Sequence, residues 1–388
     1  MLAQAMTPSM NDFWRQRRVF LTGHTGFKGA WLCLWLRELG ATVTGYALAP
    51  HTSPNLFALL RQETRSIIGD VRDGEALSAA MRDADPQVVI HMAAQALVRE
   101  SYRDPVATFA TNVMGTAHLL EACRALPSLQ ACVVVTSDKV YENTSVRSGE
   151  RSGGRSGELF GKGSSAHTAA HRDEAAAFDE CDRLGGHDPY SNSKACSELV
   201  TGSFRDSFFP LGPPLATARA GNVIGGGDWS DDRLIPDCVR ALESGAPVSV
   251  RYPDAIRPWQ HVLEPLSGYL RLAQALIETP EAAPRAVNFG PNPASFCTVR
   301  EVVDAFSARF GGKPGWQHDA GMHPPEAEAL TLSSALAQRS LGWRPTLDVV
   351  ESLAWTADWY RAHAAGENML TFSRAQVARY RSMLRVSA

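Results

Sequence analysis

The chain has 388 residues, of which 44% are hydrophobic and 20% charged, a composition typical of a globular protein long enough for two domains. The formal net charge of −3 gives no reason to expect a nucleic acid or an anionic membrane surface as a partner, and no apolar run is long enough to span a bilayer. Seven cysteines lie singly without CxxC spacing, and the chain does not start with a signal-type apolar stretch, so we expect a cytoplasmic protein with reduced thiols and no metal site.

Strand and helix patterns alternate through the first half of the chain. The first dozen residues are expected to fray, and the apolar run 18–22 is predicted to be a strand. A helical pattern follows, with Trp31, Leu34, Trp35 and Leu39 on one face, and Gly40 ends it. Residues 42–46, 87–92, 131–136 and 215–221 resemble further strands, and 112–124 a helix between them. The pattern predicts an α/β fold of Rossmann type, in which helices cover both faces of a doubly wound parallel sheet.

The composition changes after about residue 221. Glycine, proline and tryptophan concentrate in 221–265, and helical segments follow at 299–310 and 347–362. We therefore predict two domains, 17–220 and 221–388, of which the second is smaller and partly interleaved with the first. Within the first, residues 144–170 carry six glycines and almost no large apolar side chains, which predicts a flexible insertion over about 144–176.

A glycine-rich turn, GHTGFKG at residues 23–29, joins the first predicted strand to the first helix. Glycines three residues apart permit a tight turn and let a pyrophosphate approach the backbone N–H groups of a helix N-terminus. In this context the turn predicts dinucleotide binding, although a purely structural turn stays open as the alternative. The second strand ends in TGYA, without an acidic residue or an arginine, so the sequence does not decide between NAD and NADP. Asp70 follows the third strand and could reach the adenine edge, or simply occupy a surface turn.

Tyr190 and Lys194 lie four residues apart, just after Asp188 and Pro189, which resemble a helix start. A lysine beside a tyrosine favours the phenolate and would lower the pKa of Tyr190 toward neutrality. Such a group can take a proton from an alcohol while a hydride leaves to a nicotinamide. The spacing alone is common on solvated helices, but after a dinucleotide-binding turn it predicts hydride chemistry.

Several runs together resemble the extended short-chain dehydrogenase/reductases that modify nucleotide sugars. They are GHTGFKG, HMAAQALVRESYRDP at 91–105 with Asn112 after it, TSDKVY at 136–141 and YSNSK at 190–194. Two further runs, AGNVIGGGDWSDDRLIPD at 220–237 and RPWQHVLEPLSGYL at 257–270, are similar to the 4,6-dehydratases of CDP-glucose within that family. The resemblance extends over about 18–359. It implies an NAD-dependent hydro-lyase with an NAD-binding first domain and a substrate-binding second domain.

The run Ser137-Asp138-Lys139 distinguishes this chain from relatives that only oxidise and reduce a sugar. Epimerases of the family usually carry small or neutral residues in place of Asp138 and Lys139, and dTDP-glucose dehydratases carry Asp-Glu. The resemblance implies that Tyr190 deprotonates the hydroxyl on carbon 4 and that Ser137 binds the same oxygen. Asp138, kept protonated by burial, would help expel the hydroxyl on carbon 6. Lys139 would handle the carbon 5 proton, made neutral by desolvation and by Lys194. A salt bridge between Asp138 and Lys139 is the structural alternative.

The resemblance also implies two sets of binding residues. Arg257 suits a diphosphate because a guanidinium group binds two oxygens at once. The residues expected at the cofactor are Gly23, Thr25, Gly26, Phe27, Lys28, Gly29, Asp70, Val71, Ala93, Ala94, Gln95, Asn112, Tyr190 and Lys194. Those expected at the substrate nucleotide are Asn222, Arg233, Leu234, Arg257, Trp259 and His261.

Other interpretations remain open from the sequence. The chain departs from the family pattern at the insertion, and Phe178-Asp179-Glu180 stands where members tend to carry Tyr-Arg-Glu, so the insertion is either a tolerated surface loop or a lid or docking arm. The rival functions are an NAD-dependent nucleotide-sugar epimerase, a 4,6-dehydratase of another nucleoside-diphosphate hexose, and a non-catalytic NAD-binding scaffold. The resemblance further implies a homodimer or tetramer paired through two helices per subunit, of which 112–124 would be one. It also implies deoxysugar synthesis for surface polysaccharide such as lipopolysaccharide O-antigen.

Overall fold

The computed structural model describes residues 10–60, 64–143, 177–312 and 315–386, so the predicted insertion over 144–176 lies outside the described residues. The expectation of a frayed start is wrong from Met10 onward. A short helix, α1 (Met10–Trp14), begins there, because the side chains of Phe13 and Trp14 are buried against the core and anchor it.

Thirteen strands are present among the described residues. They are, in chain order, β1 (Arg18–Thr22), β2 (Thr42–Ala47), β3 (Arg65–Ile68), β4 (Val88–His91), β5 (Ala131–Val135), β6 (Leu215–Arg219), β7 (Val223–Ile224), β8 (Val248–Val250), β9 (Ile256–Pro258), β10 (Gln260–His261), β11 (Ala286–Asn288), β12 (Phe296–Thr298) and β13 (Trp316–His318).

The helices that follow α1 are distributed along the whole described chain. They are α2 (Phe27–Glu38), α3 (Leu56–Leu60), α4 (Gly74–Ala84), α5 (Val98–Arg103), α6 (Pro105–Phe109), α7 (Gly115–Cys123), α8 (Pro189–Phe208), α9 (Leu234–Ser244), α10 (Leu263–Glu278), α11 (Val299–Phe310), α12 (Ala335–Leu341), α13 (Val349–Ala364) and α14 (Met369–Val386). A π-helical turn (Ala110–Met114) precedes α7, and 3-10 turns lie at Asp138–Val140 and Pro293–Ser295.

A seven-stranded sheet in the order β11-β6-β5-β4-β1-β2-β3 forms the centre of the molecule, and every neighbouring pair in it is parallel. The predicted Rossmann-type fold is therefore confirmed. The buried side chains of β1 alternate between two cores: Val19 and Leu21 belong to the larger one and Phe20 to the one on the opposite face. Because both faces are covered, the central strands are almost uniformly apolar, which is why the sequence revealed them.

The part of the chain after residue 221 returns to this sheet. Strand β11 is one of its edge strands, and the side chains of Trp359 on α13 and Tyr380 on α14 pack into the same core as Trp35 on α2. Three two-stranded sheets, β7 with β10, β9 with β12 and β8 with β13, make up the rest of the strands. This interleaving fits the predicted second domain, whose boundary near residue 221 stays a prediction.

Within the described ranges, every helix is too short or too polar to serve as a membrane span. The helix predicted over 112–124 is present, but it begins with the π-helical turn. Asn112 lies in that turn and its amide group is used for contacts outside the helix, which accords with the frequent use of π-turns near functional sites.

Candidate active site

A cleft of about 1140 Å³ opens at the carboxyl ends of the central parallel strands, where α/β sheets bind their ligands. Its walls include the segments that directly follow β1, β4, β5 and β6. All five predicted catalytic residues line it, as do the predicted cofactor residues apart from Asn112 and the predicted substrate residues apart from His261. Topology therefore brings together residues that are almost 240 positions apart in the sequence, from Gly23 to Trp259.

The glycine-rich turn has the shape that a dinucleotide requires. Gly23 has a positive φ of 76°, and a Cβ there would lie 2.8 Å from the backbone nitrogen of Ala93. A Cβ on Gly29 would overlap the carbonyl oxygen of Gly23, so helix α2 packs directly against the turn. The N-cap residue Gly26 offers no side-chain hydrogen bond, which leaves the first N–H groups of α2 open to the cleft. These residues fit a dinucleotide pyrophosphate.

The part of the cleft that follows β3 contains an ion pair between Asp70 and Arg72. Asp70 accepts hydrogen bonds from the guanidinium group of Arg72 at 2.6 and 2.9 Å, and this arginine lowers the pKa of the Asp70 carboxyl. Strand β2 ends at Ala47 without an acidic side chain, and the exposed Leu48 follows it. Asp70 thus lines this part of the cleft, and its assignment to the adenine edge stays a prediction.

Asn112 supports the cleft from beneath instead of lining it. Its side-chain oxygen accepts from the backbone nitrogen of Gln95 at 2.8 Å, and its amide nitrogen donates to the carbonyl oxygen of Gln95 at 3.0 Å. The same nitrogen donates to Ser193 on α8 at 2.8 Å. Asn112 thus fixes the loop after β4 against the helix of Tyr190, and its assignment to the cofactor stays a prediction.

Asp138 lies at the centre of the site, directly after the sheet strand β5. Ser137 donates to one carboxyl oxygen of Asp138 at 3.0 Å, while the other oxygen is buried without a hydrogen-bond partner. The carboxyl group fits because residue 221 is glycine, where any Cβ would overlap it. No ion pair joins Asp138 to Lys139 within the described part of the chain, so the predicted structural alternative is not observed.

Tyr190 and Lys194 face the cleft from the first turns of α8, whose N-cap is Asp188 as predicted. Burial raises the pKa of Tyr190 to about 12, against a hydrogen bond with Ser137 that lowers it. The expectation of a phenol with near-neutral pKa is therefore wrong for this arrangement, because burial outweighs the stabilising groups. Lys194 donates to the carbonyl oxygen of Val135 at 3.0 Å, and burial lowers its pKa to about 8 although Glu198 opposes that shift.

Lys28 is oriented toward the catalytic residues, whereas the sequence analysis assigned it to the pyrophosphate. Its ammonium group donates to the hydroxyl of Tyr269 at 2.9 Å. The side chain keeps some exposure to the cleft, yet protein atoms enclose the nitrogen, and this burial together with the charges of Arg233 and Lys194 lowers the pKa of Lys28 to about 7. The charge of Lys194 thus lowers the pKa of Lys28. The sequence analysis expected Lys194 to have this effect on Lys139.

Lys139 has a different environment from the one expected. Its side chain is half-buried and lines the cleft, and its charge lowers the pKa of the Glu326 carboxyl. Glu326 lines the cleft and was missed by the sequence analysis. The segment that carries it has no recognisable motif, and it reaches the site only because residues 328–330 run alongside β9.

The predicted nucleotide residues fall into two groups. Arg257 is buried and pairs with Glu326 at 3.0 Å, and Arg233 pairs with Asp228 at 3.2 Å. Asn222, Leu234 and Trp259 also line the cleft.

His261 does not belong to this set. Its ring is fully buried between Trp31 and Trp355, and burial lowers its pKa to about 3. His261 lies in the buried two-residue strand β10, and its side chain faces the core and not the cleft. The sequence analysis also missed the wall formed by residues 247–252 and 324–327.

The run Phe178-Asp179-Glu180 packs beneath the site. The ring of Phe178 stacks on that of Tyr141 with centroids 4.9 Å apart, and Glu180 accepts from the backbone nitrogen of Asn288 at 2.7 Å. Tyr141 in turn donates to the side chain of Asn288 at 2.6 Å. The departure from the family pattern is therefore accommodated in a packed and hydrogen-bonded layer.

Comparisons with known proteins agree with this geometry. A curated CDP-glucose 4,6-dehydratase of Salmonella typhimurium is 44% identical over 379 residues, which cover 96% of this chain and 98% of that protein. A dTDP-glucose 4,6-dehydratase of Xanthomonas campestris is 28% identical over 88% of this chain and 92% of its own length. The solved UDP-glucose-4-epimerase of Stenotrophomonas maltophila, with bound NAD and formylated UDP-arabinopyranose, shares the fold with a TM-score of 0.72 at 19% identity, covering 90% of this chain and 99% of that one. Residues 19–290 match the model of the NAD dependent epimerase/dehydratase family. The chain belongs to the NAD dependent epimerase/dehydratase family, and its cofactor is NAD.

Proposed function

We propose that the protein is a hydro-lyase that converts CDP-glucose to CDP-4-keto-6-deoxyglucose and water. The observation that carries this proposal is the buried Asp138 carboxyl beside Tyr190, one oxygen of which has no hydrogen-bond partner. Hydride transfer alone does not need such a group, whereas expulsion of a hydroxyl needs an acid aimed at it. The high identity to a CDP-glucose 4,6-dehydratase supports the same reaction and the cytidine nucleotide.

Tyr190 is the group that accepts the proton of the hydroxyl on carbon 4. Bound NAD would supply the hydride acceptor, and the positive charge of its oxidised ring would favour the Tyr190 phenolate. Ser137 hydrogen-bonds Tyr190 and is placed to bind the same sugar oxygen. Lys194 adds a second positive charge from the next turn of α8, where it is held by the carbonyl oxygen of Val135.

Elimination requires a base at carbon 5 and an acid at carbon 6. The ketone formed at carbon 4 makes the proton on carbon 5 acidic, and we assign its removal to Lys139. Asp138 gives its proton to the hydroxyl on carbon 6, which leaves as water. Return of the hydride to carbon 6 and of the proton to carbon 5 completes the product, and a proton passes from Tyr190 to Asp138 to restore the resting enzyme.

The two ends of the cleft hold the two nucleotides in this proposal. The glycine-rich turn, Asp70 with Val71 and the run Ala93-Ala94-Gln95 hold NAD, and Asn112 supports that run. Arg233 and Arg257 bind the substrate diphosphate, since both residues line the cleft and a guanidinium group can bind two oxygens at once. Asn222, Leu234 and Trp259 complete the substrate side.

The proposal is tested by incubating the purified protein with NAD and, separately, with CDP-, dTDP-, UDP- and GDP-glucose. We expect CDP-glucose alone to lose one water rapidly, as read by mass, and to give a product with the base-induced absorbance of a 4-keto sugar. A product of unchanged mass would identify an epimerase, and preferred turnover of another nucleotide would correct the substrate. No turnover of any of the four would favour a non-catalytic scaffold.

We further propose a homodimer in the cytoplasm. The apolar side chains of Val106, Met114 and Leu199 are 77%, 50% and 61% exposed on α6, the π-helical turn and α8, which pack against one another. Two copies of this face would cover these side chains through two helices per subunit. Light scattering of the wild type and of Leu199→Glu tests this: a dimer that becomes a monomer in the variant supports the interface.

The seven free cysteines fit a reducing compartment, and a deoxysugar product fits surface polysaccharide synthesis.

A further inference from the structure

An ion pair joins two walls of the cleft through residues that are 133 positions apart in the sequence. The guanidinium group of Arg99 donates to the carboxylate of Asp232 at 2.7 Å, and both residues line the cleft. Arg99 lies in the first turn of α5, and Asp232 lies between β7 and α9, directly before Arg233. The pair therefore connects two segments that the proposed function assigns to different ligands: the cofactor wall (93–103) and the substrate wall (225–237).

The Arg99 end of the pair is held by the loop that follows β4. The side chain of Gln95 accepts from the backbone nitrogen of Leu97 at 2.6 Å and donates to the carbonyl oxygen of Leu97 at 3.1 Å. The backbone of Gln95 is in turn held by Asn112, and α5 packs against α8, the helix of Tyr190. Arg99 therefore starts from a segment whose position is set by the contacts that shape the cofactor wall.

The substrate wall has anchors of its own before it reaches Asp232. The hydroxyl of Tyr360 on α13 donates to the carbonyl oxygen of Asp228, and the ring of Trp229 packs against those of Trp359 and Tyr360. Asp232 then has a positive φ of 59°, a conformation that aspartate and asparagine adopt more readily than most other residues. The side chain of Asp232 is thus presented from a turn that follows a packed part of the wall.

Three consecutive charged residues of this wall make different contacts. Asp231 is 91% exposed, Asp232 pairs with Arg99, and Arg233 pairs with Asp228 of the same wall at 3.2 Å. Of the two neighbouring aspartates, only Asp232 lines the cleft. The bridge between the walls therefore depends on one of two adjacent carboxylates, and the other offers an internal comparison.

The proposed reaction requires that the sugar and the reduced cofactor stay together. The hydride taken from carbon 4 must return to carbon 6 of the same molecule. Between these steps the sugar nucleotide lacks two hydrogens, one held as the hydride of NADH and the other as the proton on Tyr190. An intermediate that leaves early therefore leaves behind NADH, with which the enzyme cannot oxidise the next substrate. The two walls must stay close to each other for as long as the intermediate is present.

We propose that Arg99 and Asp232 are positioning residues that hold the substrate wall to the cofactor wall and so retain the 4-keto intermediate until the hydride returns. This role rests on the proposed function. The two side chains are 39% and 25% exposed, so their pair is weak compared with a buried one. A contact of this strength can open for substrate entry and product release, and it slows the escape of the intermediate by a small factor in each turnover.

The test uses Arg99→Gln, Asp232→Asn and the double variant in the full-length protein. Asparagine tolerates the positive φ at this position, so the substitution removes the charge and keeps the backbone. The matched controls are Arg103→Gln, which removes an exposed pair with Glu100 on the same helix, and Asp231→Asn. Neither Arg103 nor Asp231 lines the cleft.

The first measurement is the amount of NADH formed per molecule of CDP-glucose dehydrated, with NAD in excess. Absorbance reports the NADH, and mass identifies released sugar nucleotides that lack two hydrogens. We expect Arg99→Gln and Asp232→Asn each to raise this ratio by about three- to fivefold over the controls, the factor that corresponds to a partly exposed ion pair. The double variant should match either single variant, because the same contact is lost in all three.

Three results would overturn the proposal. The first is a ratio in either single variant that equals the ratio of the controls. The second is an effect of Arg99→Gln that Asp232→Asn does not share, which would assign Arg99 to the nucleotide itself. The third is a double variant with a higher ratio than both single variants, which would show two independent contacts in place of one bridge.

Hydrogen–deuterium exchange with NAD and CDP bound gives a second measurement, one that needs no turnover. We expect the backbone amides of the substrate wall to exchange faster in Arg99→Gln and Asp232→Asn than in the controls. Unchanged protection of the central strands would show that the variants are folded, and unchanged exchange of the wall in folded variants would contradict the bridge. If the wild type does not dehydrate CDP-glucose, the proposed function fails by itself, while this measurement still tests the contact between the walls.

Discussion

The carboxyl group of Asp138 occupies the space that a side chain on Gly221 would fill. The two residues come from the ends of neighbouring strands, since Asp138 follows β5 and Gly221 follows β6. The glycine of the run AGNVIGGG therefore makes room for the group to which we assign the expulsion of the carbon 6 hydroxyl.

Gly221→Ala is expected to displace the Asp138 carboxyl and to lower the dehydration rate by about 100-fold or more, the usual contribution of a positioned acid. NAD binding should persist, because the glycine-rich turn is untouched. The control is Gly315→Ala, where nothing lies within 4 Å of the added Cβ. Steady-state turnover and NAD titration of both variants are the measurements. A Gly221→Ala protein with turnover within twofold of the control would contradict the role of Asp138.

A buried ion pair lies one turn beyond Lys194 on α8. Glu198 accepts from Arg219 at 2.9 Å with each of its two oxygens, and the hydroxyls of Thr136 and Thr217 fill its remaining positions. Its charge raises the pKa of Lys194, against burial that has brought that pKa down to about 8.

Glu198→Gln is therefore expected to lower the pKa of Lys194 below 8, so that the ammonium group is lost at a lower pH than in the wild type. The high-pH limb of the turnover profile should therefore shift to lower pH. Leaving Arg219 unpaired should also decrease the free energy of unfolding by roughly 3–5 kcal/mol. The control is Glu121→Gln, which removes an exposed ion pair with Arg124. It should leave the high-pH limb of the turnover profile in place and change the free energy of unfolding by no more than about 1 kcal/mol. A pH profile that keeps its high-pH limb in Glu198→Gln contradicts this assignment.

The sequence allowed the sheet to be predicted because its strands are buried on both faces and so are uniformly apolar. Runs that resemble a family supplied the five candidate catalytic residues, all of which line the cleft. Three features were not accessible in the same way. The orientation of Lys28 toward Tyr269, the burial of His261 and the arrival of Glu326 each depend on which side of a short element faces the cleft. The pKa of Tyr190 depends on the balance of burial against charges, which spacing along a helix does not reveal.

Glu264, which lies outside the cleft, makes the free energy of unfolding depend on pH. This carboxyl is fully buried, accepts from the backbone of Thr346 and Leu347 and from the hydroxyl of Tyr380, and has its pKa raised to about 7 by burial. The folded state thus binds its proton more tightly than the unfolded state. Its contribution to the free energy of unfolding is complete below about pH 4.5 and is lost as the pH rises through 7, a change of about 3 kcal/mol.

Chemical denaturation at pH 5 and pH 8 measures this effect. In the wild type the free energy of unfolding should be smaller at pH 8, and Glu264→Gln should reduce the difference because its amide does not titrate. Glu281→Gln, exposed after α10, is expected to keep the wild-type difference. An unchanged pH dependence in Glu264→Gln would assign the effect to other groups.

Lys139→Ala separates the base at carbon 5 from the hydride chemistry at carbon 4. In deuterated water we expect this variant to oxidise CDP-glucose at carbon 4, seen as a transient rise in NADH absorbance, because Tyr190, Ser137 and Lys194 remain in place. Deuterium should enter carbon 5 about 100-fold more slowly than in the wild type, the usual loss when a general base is removed. Lys162, in the insertion that the structure does not describe, offers a control substitution to alanine that removes a lysine elsewhere in the chain. Deuterium entry at the wild-type rate in Lys139→Ala would assign the proton to a different base.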